Sequence, residues 1–173
     1  LANDKSIAWG IAKALGDAGA ELAFSYQGDA LKKRVDPLAE SLGSKIVLPC
    51  DVSDMDSVDA LFASLEKTWG SLDFIVHAIG FSDKNELRGR YVDTSRDNFM
   101  MTMDISVYSF TAVVKRAERL MTDGGSALTM TYYGAEQVMP HYNVMGVAKA
   151  ALEVSVKYLA EDLGKQNIRV NAI

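Results

Sequence analysis

The chain has 173 residues, 49% of them hydrophobic, with a single cysteine, Cys50, and a formal net charge of −5. Those figures suit one compact domain with a substantial core, exclude an internal disulfide framework, fit a reducing cytosol and argue against a nucleic-acid-binding face. No N-terminal stretch has a signal-peptide layout, and the longest apolar-leaning run, Ile105 to Val114, is too short for a bilayer and is broken by Ser106, Ser109 and Thr111.

Ser6 is placed to cap a helix running to about Leu15, with Ile7, Ile11, Ala12 and Leu15 on one side and Gly16 and Gly19 closing it. Glu21 to Tyr26 reads as a short buried strand. A charged helix follows from about Asp29 to Leu42, with Pro37 as an irregularity. Lys45 to Leu48 gives a second strand, ending in the polar turn Cys50-Asp51-Val52-Ser53-Asp54. The next helix carries Val58, Leu61, Phe62 and Leu65 at helical spacing and ends at Trp69-Gly70. Asp73 to Ala78 is a third strand that opens into a turn at Gly80. A long helical region covers Ser95 to Met121, broken near Asp104. Asp123-Gly124-Gly125 then turns the chain into a fourth strand, Ser126 to Thr131. A helix containing Tyr142 runs to Gly164 and is expected to bury Val144, Val147, Ala148, Ala151, Leu152 and Leu159. A fifth strand starts over Ile168 to Ile173.

Short apolar strands alternating with helices predict an α/β fold: a doubly wound parallel sheet, Rossmann-like, covered on both faces. The ligand site of such a sheet lies outside the carboxyl ends of its strands. Tyr132, Gly80, Asp51 and Gln27 each fall just past a strand end, so four turns are expected to converge on one edge. The basic clusters Lys32-Lys33-Arg34 and Lys115-Arg116 read as solvated helix faces. His77 and His141 form no ligand spacing with Cys50 or Asp51, so no metal site is expected.

Tyr142 and Lys149 stand seven residues apart on the last helix, with Tyr132 ten residues upstream. Seven residues bring a helix round to within roughly 20° of its start. Helical side chains lean toward the N-terminus, so the ammonium is expected on the face that carries the phenol. A phenol donor beside a fixed cation stabilises an oxyanion as it forms.

Four segments carry a family resemblance: Ala2 to Ile11, His77-Ala78-Ile79-Gly80-Phe81, Thr102-Met103-Asp104-Ile105-Ser106, and Tyr132 through Lys149. The chain resembles the bacterial NADH-dependent enoyl-acyl-carrier-protein reductases, a branch of the short-chain dehydrogenase/reductase superfamily. The Tyr-x3-Lys pair of the common members is absent, since the fourth residues after Tyr132, Tyr133 and Tyr142 are Glu136, Gln137 and Gly146. Their usual helix asparagine is also missing from Met103 to Tyr108. Both departures favour the enoyl reductase branch. A carbonyl (3-oxoacyl) reductase and a non-catalytic dinucleotide-sensing module are the competing readings.

The resemblance implies hydride transfer from NADH to the trans-2 double bond of an enoyl thioester on acyl carrier protein, in fatty acid biosynthesis. Tyr142 then matches the tyrosine that hydrogen-bonds the thioester carbonyl, and Lys149 the lysine that holds the nicotinamide ribose. Tyr132 matches a tyrosine that lines the substrate pocket and has been proposed to assist protonation, which adds it to Tyr142 and Lys149 as a catalytic candidate. Ser6, Ile7, Gln27, Asp51, Val52 and Ile79 match cofactor-binding positions, with Ser6 also a plain helix cap. Gln27 favours NADH, while Lys32, Lys33 and Arg34 leave NADPH open. Phe81, Ser82 and Met145 match positions around the acyl pocket, Met145 serving equally well as core packing.

The resemblance further implies a cytoplasmic homotetramer that engages neither membrane nor nucleic acid. Residue 1 is leucine and the chain stops inside a strand, so residues 1–173 are expected to be a partial NAD-binding domain of a longer protein. A first strand, central in such a sheet, and the C-terminal part would then be missing, and the 173 residues alone are expected neither to fold stably nor to bind NADH.

Overall fold

The structure, a computed structural model, describes residues 3–173. Leu1, on which the expectation of a longer protein partly rests, and Ala2, which opens the first resemblance segment, lie outside the described residues. The chain divides into two compact units, one ending at Ser64 and one spanning Leu65–Ile173.

In the first unit, α1 (Ile7–Asp17) starts where extended Ser6 accepts a hydrogen bond from the Trp9 amide at 3.2 Å and donates its hydroxyl to the Asn3 carbonyl at 2.7 Å. This is the expected cap, satisfying one of the orphan amides of the first turn. Gly19, at φ +90°, follows the helix end in the left-handed conformation that glycine adopts without strain. Strand β1 (Ala23–Tyr26) pairs in parallel with β2 (Ile46–Pro49), Ala23 opposite Ile46 and Tyr26 opposite Pro49. Between them runs α2 (Gly28–Ser41), which contains Pro37 and is not ended by it. Ala12, Phe24, Val35 and Ala39 are the buried centre, flanked by Trp9, Leu22, Tyr26, Leu42 and Val47. Ile7 departs from the expected apolar face: it is 70% exposed, while Trp9 of the same turn packs on the core.

Helix α3 (Met55–Trp69) crosses the division in the chain and buries Val58, Phe62 and Leu65 at the expected spacing. The second unit holds β3 (Phe74–His77), β4 (Gly125–Thr129) and β5 (Ile168–Ala172), hydrogen-bonded in that order and all parallel. A one-turn helix α4 (Lys84–Leu87) and a 3-10 turn at Tyr91–Asp93 follow β3. The long helical region is α5 (Arg96–Met103), a π turn (Asp104–Tyr108) and α6 (Ser109–Ala117), so the break falls at Asp104 as expected. Helix α7 (Asn143–Gly164) buries Val144, Ala148 and Leu152, but Val147 is 37% exposed and leaves the predicted core face. The parallel α/β character is that expected from the alternation of short apolar runs and amphipathic helices.

Candidate active site

Tyr142 does not lie on α7. It is the residue before the helix, and Asn143 enters at φ +44°, so the helical rotation that would align phenol and ammonium is interrupted between them. Asn143 is held there by its own side chain, whose Nδ2 donates to the Glu86 carbonyl at 3.1 Å and the Gly89 carbonyl at 3.3 Å. Lys149 reaches instead to the carbonyl of Met130, just past β4, at 2.6 Å, and shares no hydrogen bond with Tyr142. Both groups belong to this unit, and a strand-end carbonyl anchors the ammonium.

The Tyr142 ring meets Tyr132 edge-on, with centroids 4.6 Å apart and planes at 63°. Burial, with the Tyr132 phenol second, pushes the Tyr142 pKa up to about 12, so the group is a neutral donor. Two glycines make this seat. A methyl group on Gly134 would stand 2.5 Å from Cδ1 of Tyr142, and one on Gly146 would stand 2.7 Å from the Gly134 carbonyl oxygen.

Lys149 is 6% exposed, and burial lowers its pKa below the ordinary lysine value. An ammonium has three donors, and here one is used on Met130. A buried cation with donors to spare, at the carboxyl ends of parallel strands, suits a polyhydroxyl ligand. The Gly80 turn closes this side: a methyl on Gly80 would lie 3.5 Å from Met145 Cε, 3.8 Å from Lys149 Nζ and 3.8 Å from Ser106 Oγ. Met145 is buried on the same side as the lysine.

Ser106, on the π turn, accepts from the Phe81 amide and donates to the Phe81 carbonyl, both at 3.0 Å. It pins the turn that follows Ile79. Phe81 itself is 54% exposed. Ser82 is buried against α5, where its hydroxyl donates to Asn98 Oδ1 at 3.2 Å and accepts from Thr102 Oγ1 at 2.8 Å.

Beneath the turn, His77 is buried between Thr129 and Ser109. Its Nε2 lies 2.8 Å from Ser109 Oγ, whose one hydrogen goes to the Ile105 carbonyl at 2.6 Å. Its Nδ1 lies 3.0 Å from Thr129 Oγ1, which is also 3.3 Å from the His77 carbonyl, so both ring nitrogens are held by hydroxyls. Burial first, and the Lys149 charge second, lower its pKa to about 4.

In the first unit, Gln27 follows β1 and donates Nε2 to Asp51 Oδ2 at 2.8 Å. Asp51 accepts from the Ser53 hydroxyl at 2.7 Å and its amide at 3.0 Å. The Ser53 hydroxyl, then Gln27, holds this carboxyl below its usual range. Both residues line an open cleft of about 450 Å³ with Tyr26, Gly28, Pro49, Cys50 and Ser57. Val52 is buried beside the turn, and Lys32 is drawn to Asp36 at 2.6 Å. Among the described residues, no three His, Cys, Asp or Glu side chains gather as a metal site.

Sequence reading did not single out Gly134 and Gly146 as parts of this arrangement. The glycines carried the only available signal, since one interrupts a helix interior where alanine would be preferred.

The fold and site define a Rossmann-like parallel α/β protein with a tyrosine and lysine after its fourth strand. The family described as enoyl-(acyl carrier protein) reductase matches residues 1–173, and the chain belongs to it. It is 70% identical over its whole length to enoyl-acyl-carrier-protein reductase (NADH) 1 of Rhizobium meliloti, of which it spans 64%. Among solved structures, it superposes with TM-score 0.97 on the reductase of Anaplasma phagocytophilum in complex with NAD, at 69% identity over 99% of this chain and 66% of that one. The Bacillus cereus enoyl-acyl carrier protein reductase, solved with NADP+ and indole naphthyridinone, gives TM-score 0.97 at 49% identity over 99% of this chain and 68% of that one.

Proposed function

We propose that the protein carrying this segment reduces the trans-2 double bond of enoyl thioesters on acyl carrier protein, in fatty acid biosynthesis. The observation that carries the reading is the buried Lys149 ammonium, with donors to spare, beside the Gly80 turn and within the unit that seats Tyr142. NADH, when bound, supplies the hydride. Lys149 holds ribose hydroxyls and contributes positive charge. Tyr142 donates its phenol hydrogen to the thioester carbonyl and stabilises the enolate oxygen, a task its neutral state suits. Tyr132, 42% exposed and packed on Tyr142, lines the acyl side with Phe81, Ser82 and Met145.

Ser6 and Ile7 offer the N-terminus of α1 to the pyrophosphate. The Gln27–Asp51 pair and Val52 receive the adenosine half, with Ile79 under its ribose. Glutamine at Gln27, tied to Asp51, favours NADH, while Lys33 and Arg34, both exposed on α2, keep NADPH open as a second cofactor. Among the described residues no helix is long and apolar enough to cross a membrane. The lone buried Cys50 supports a cytoplasmic setting.

A homotetramer is supported by apolar groups left outside on α7: Val147, Val154 and Tyr158 are 37%, 48% and 71% exposed at helical spacing. Replacing Val154 and Tyr158 together with Asp should lower the mass measured by light scattering, and an unchanged tetramer would exclude this face. The activity itself is tested by NADH oxidation with crotonyl thioester and the full-length protein. Oxidation supports the reductase. Binding without turnover supports a sensing module, and turnover of only a 3-oxoacyl substrate supports a carbonyl reductase.

A further inference from the structure

We infer that Gly134 and Gly146 are positioning residues for the Tyr142 phenol, acting as one seat. The inference rests on the reductase reading for Tyr142 and deepens it. Gly134 lies in the 3-10 turn Tyr133–Ala135 that follows Tyr132, and Gly146 lies in the first turn of α7. A Cβ on Gly134 would stand 2.5 Å from Cδ1 and 2.9 Å from Cε1 of Tyr142, and 3.1 Å from Cδ1 of Tyr132. Both rings would have to move. A Cβ on Gly146 would stand 2.7 Å from the Gly134 carbonyl oxygen, so the turn would be pushed off the helix, with its carbonyl unable to fold away as a flexible side chain can. Neither glycine has a left-handed φ, so conformational freedom does not account for them. Close approach does.

The backbone of Tyr142 is fixed independently, its amide donating to Met139 at 3.2 Å and its carbonyl accepting from Met145 at 2.9 Å. What the glycines set is therefore the ring. Lys149 is tied to Met130 by a separate bond, so loss of the seat should spare cofactor binding and injure the oxyanion donor alone.

The test compares G134A, G146A and the double variant in the full-length protein, with G164A as control, since a Cβ at Gly164 meets nothing within 4 Å on the same helix. Displacing a reacting group by about 1 Å costs up to about 10²-fold, so kcat for crotonyl thioester should fall roughly ten- to a hundredfold in G134A and in G146A. KM for NADH should stay within about twofold, and the double variant should lose no more than the worse single one, because both act through one ring. G164A should match the parent.

Folded G134A and G146A with parental kcat would overturn the inference, as would a kcat loss matched by an equal rise in KM for NADH. If G134A fails to fold, G146A decides by the same criteria. Failure of both, with G164A folded, would overturn a positioning role in favour of a packing one. A parent protein that binds NADH but never oxidises it defeats the reductase reading first, and is told apart by the parent alone.

Discussion

At the scale of single residues, a phenol that stays protonated to about pH 12 is a hydrogen-bond donor at every working pH. Removing its hydroxyl leaves the ring packed on Tyr132 while deleting the one donor aimed at a forming enolate. Tyr142→Phe should therefore lose roughly 10²–10³ in kcat, the usual effect of deleting one oxyanion donor, with the melting temperature little changed. An active Tyr142→Phe enzyme would remove this residue from the mechanism.

His77 allows a second residue-scale prediction. Its folded pKa, about 4, lies below the ordinary 6.5, so the folded state favours the neutral ring. Stability from this source is complete above pH 6.5 and is lost as pH falls toward 4. A shift of that size corresponds to roughly 3 kcal/mol. Denaturant unfolding between neutral pH and the mid-acid range should show His77→Gln with a shallower loss than the parent, and parallel slopes would contradict the assignment.

The π turn Asp104–Tyr108 decides the next prediction, which belongs to the scale of elements. Its Ser106 hydroxyl bonds both main-chain groups of Phe81, and its neighbour Ser109 is fixed by His77. Ser106→Ala would leave those Phe81 groups to find other partners, at a cost of about 1–3 kcal/mol. Urea unfolding should register it, together with a raised KM for NADH as the turn after Ile79 loosens. An unchanged midpoint would show the turn to be held elsewhere.

The break itself was legible, because aspartate and serines interrupt the apolar period there. The strands and their parallel direction were legible too, from short apolar runs separated by amphipathic helices. The start of α7 was not. Asn143 adopts φ +44° through hydrogen bonds to the carbonyls of Glu86 and Gly89, distant in sequence, and no local pattern foretells such partners. The same long-range geometry hid the direction of Lys149 toward Met130. Val147 misled for a different reason: periodicity marks an apolar residue without saying whether this chain or another covers it.

For the molecule as a whole, the motifs around Tyr132 to Lys149 specified the family because residue types, not only spacing, agree over that stretch. The division of strands bears on stability. Strands β1 and β2 form a sheet of two, and β3, β4 and β5 a sheet of three. A two-stranded sheet is at best marginal by itself, and cooperative unfolding needs contacts that couple all parts. The 173-residue segment, produced alone, should therefore melt broadly in calorimetry and fail to quench NADH fluorescence, whereas the full-length protein should melt in one sharp transition. Calorimetric and van't Hoff enthalpies are the measure: agreement between them for the isolated segment would mean that the two sheets already form one cooperative core. Tight NADH binding by that segment would contradict the expectation as well.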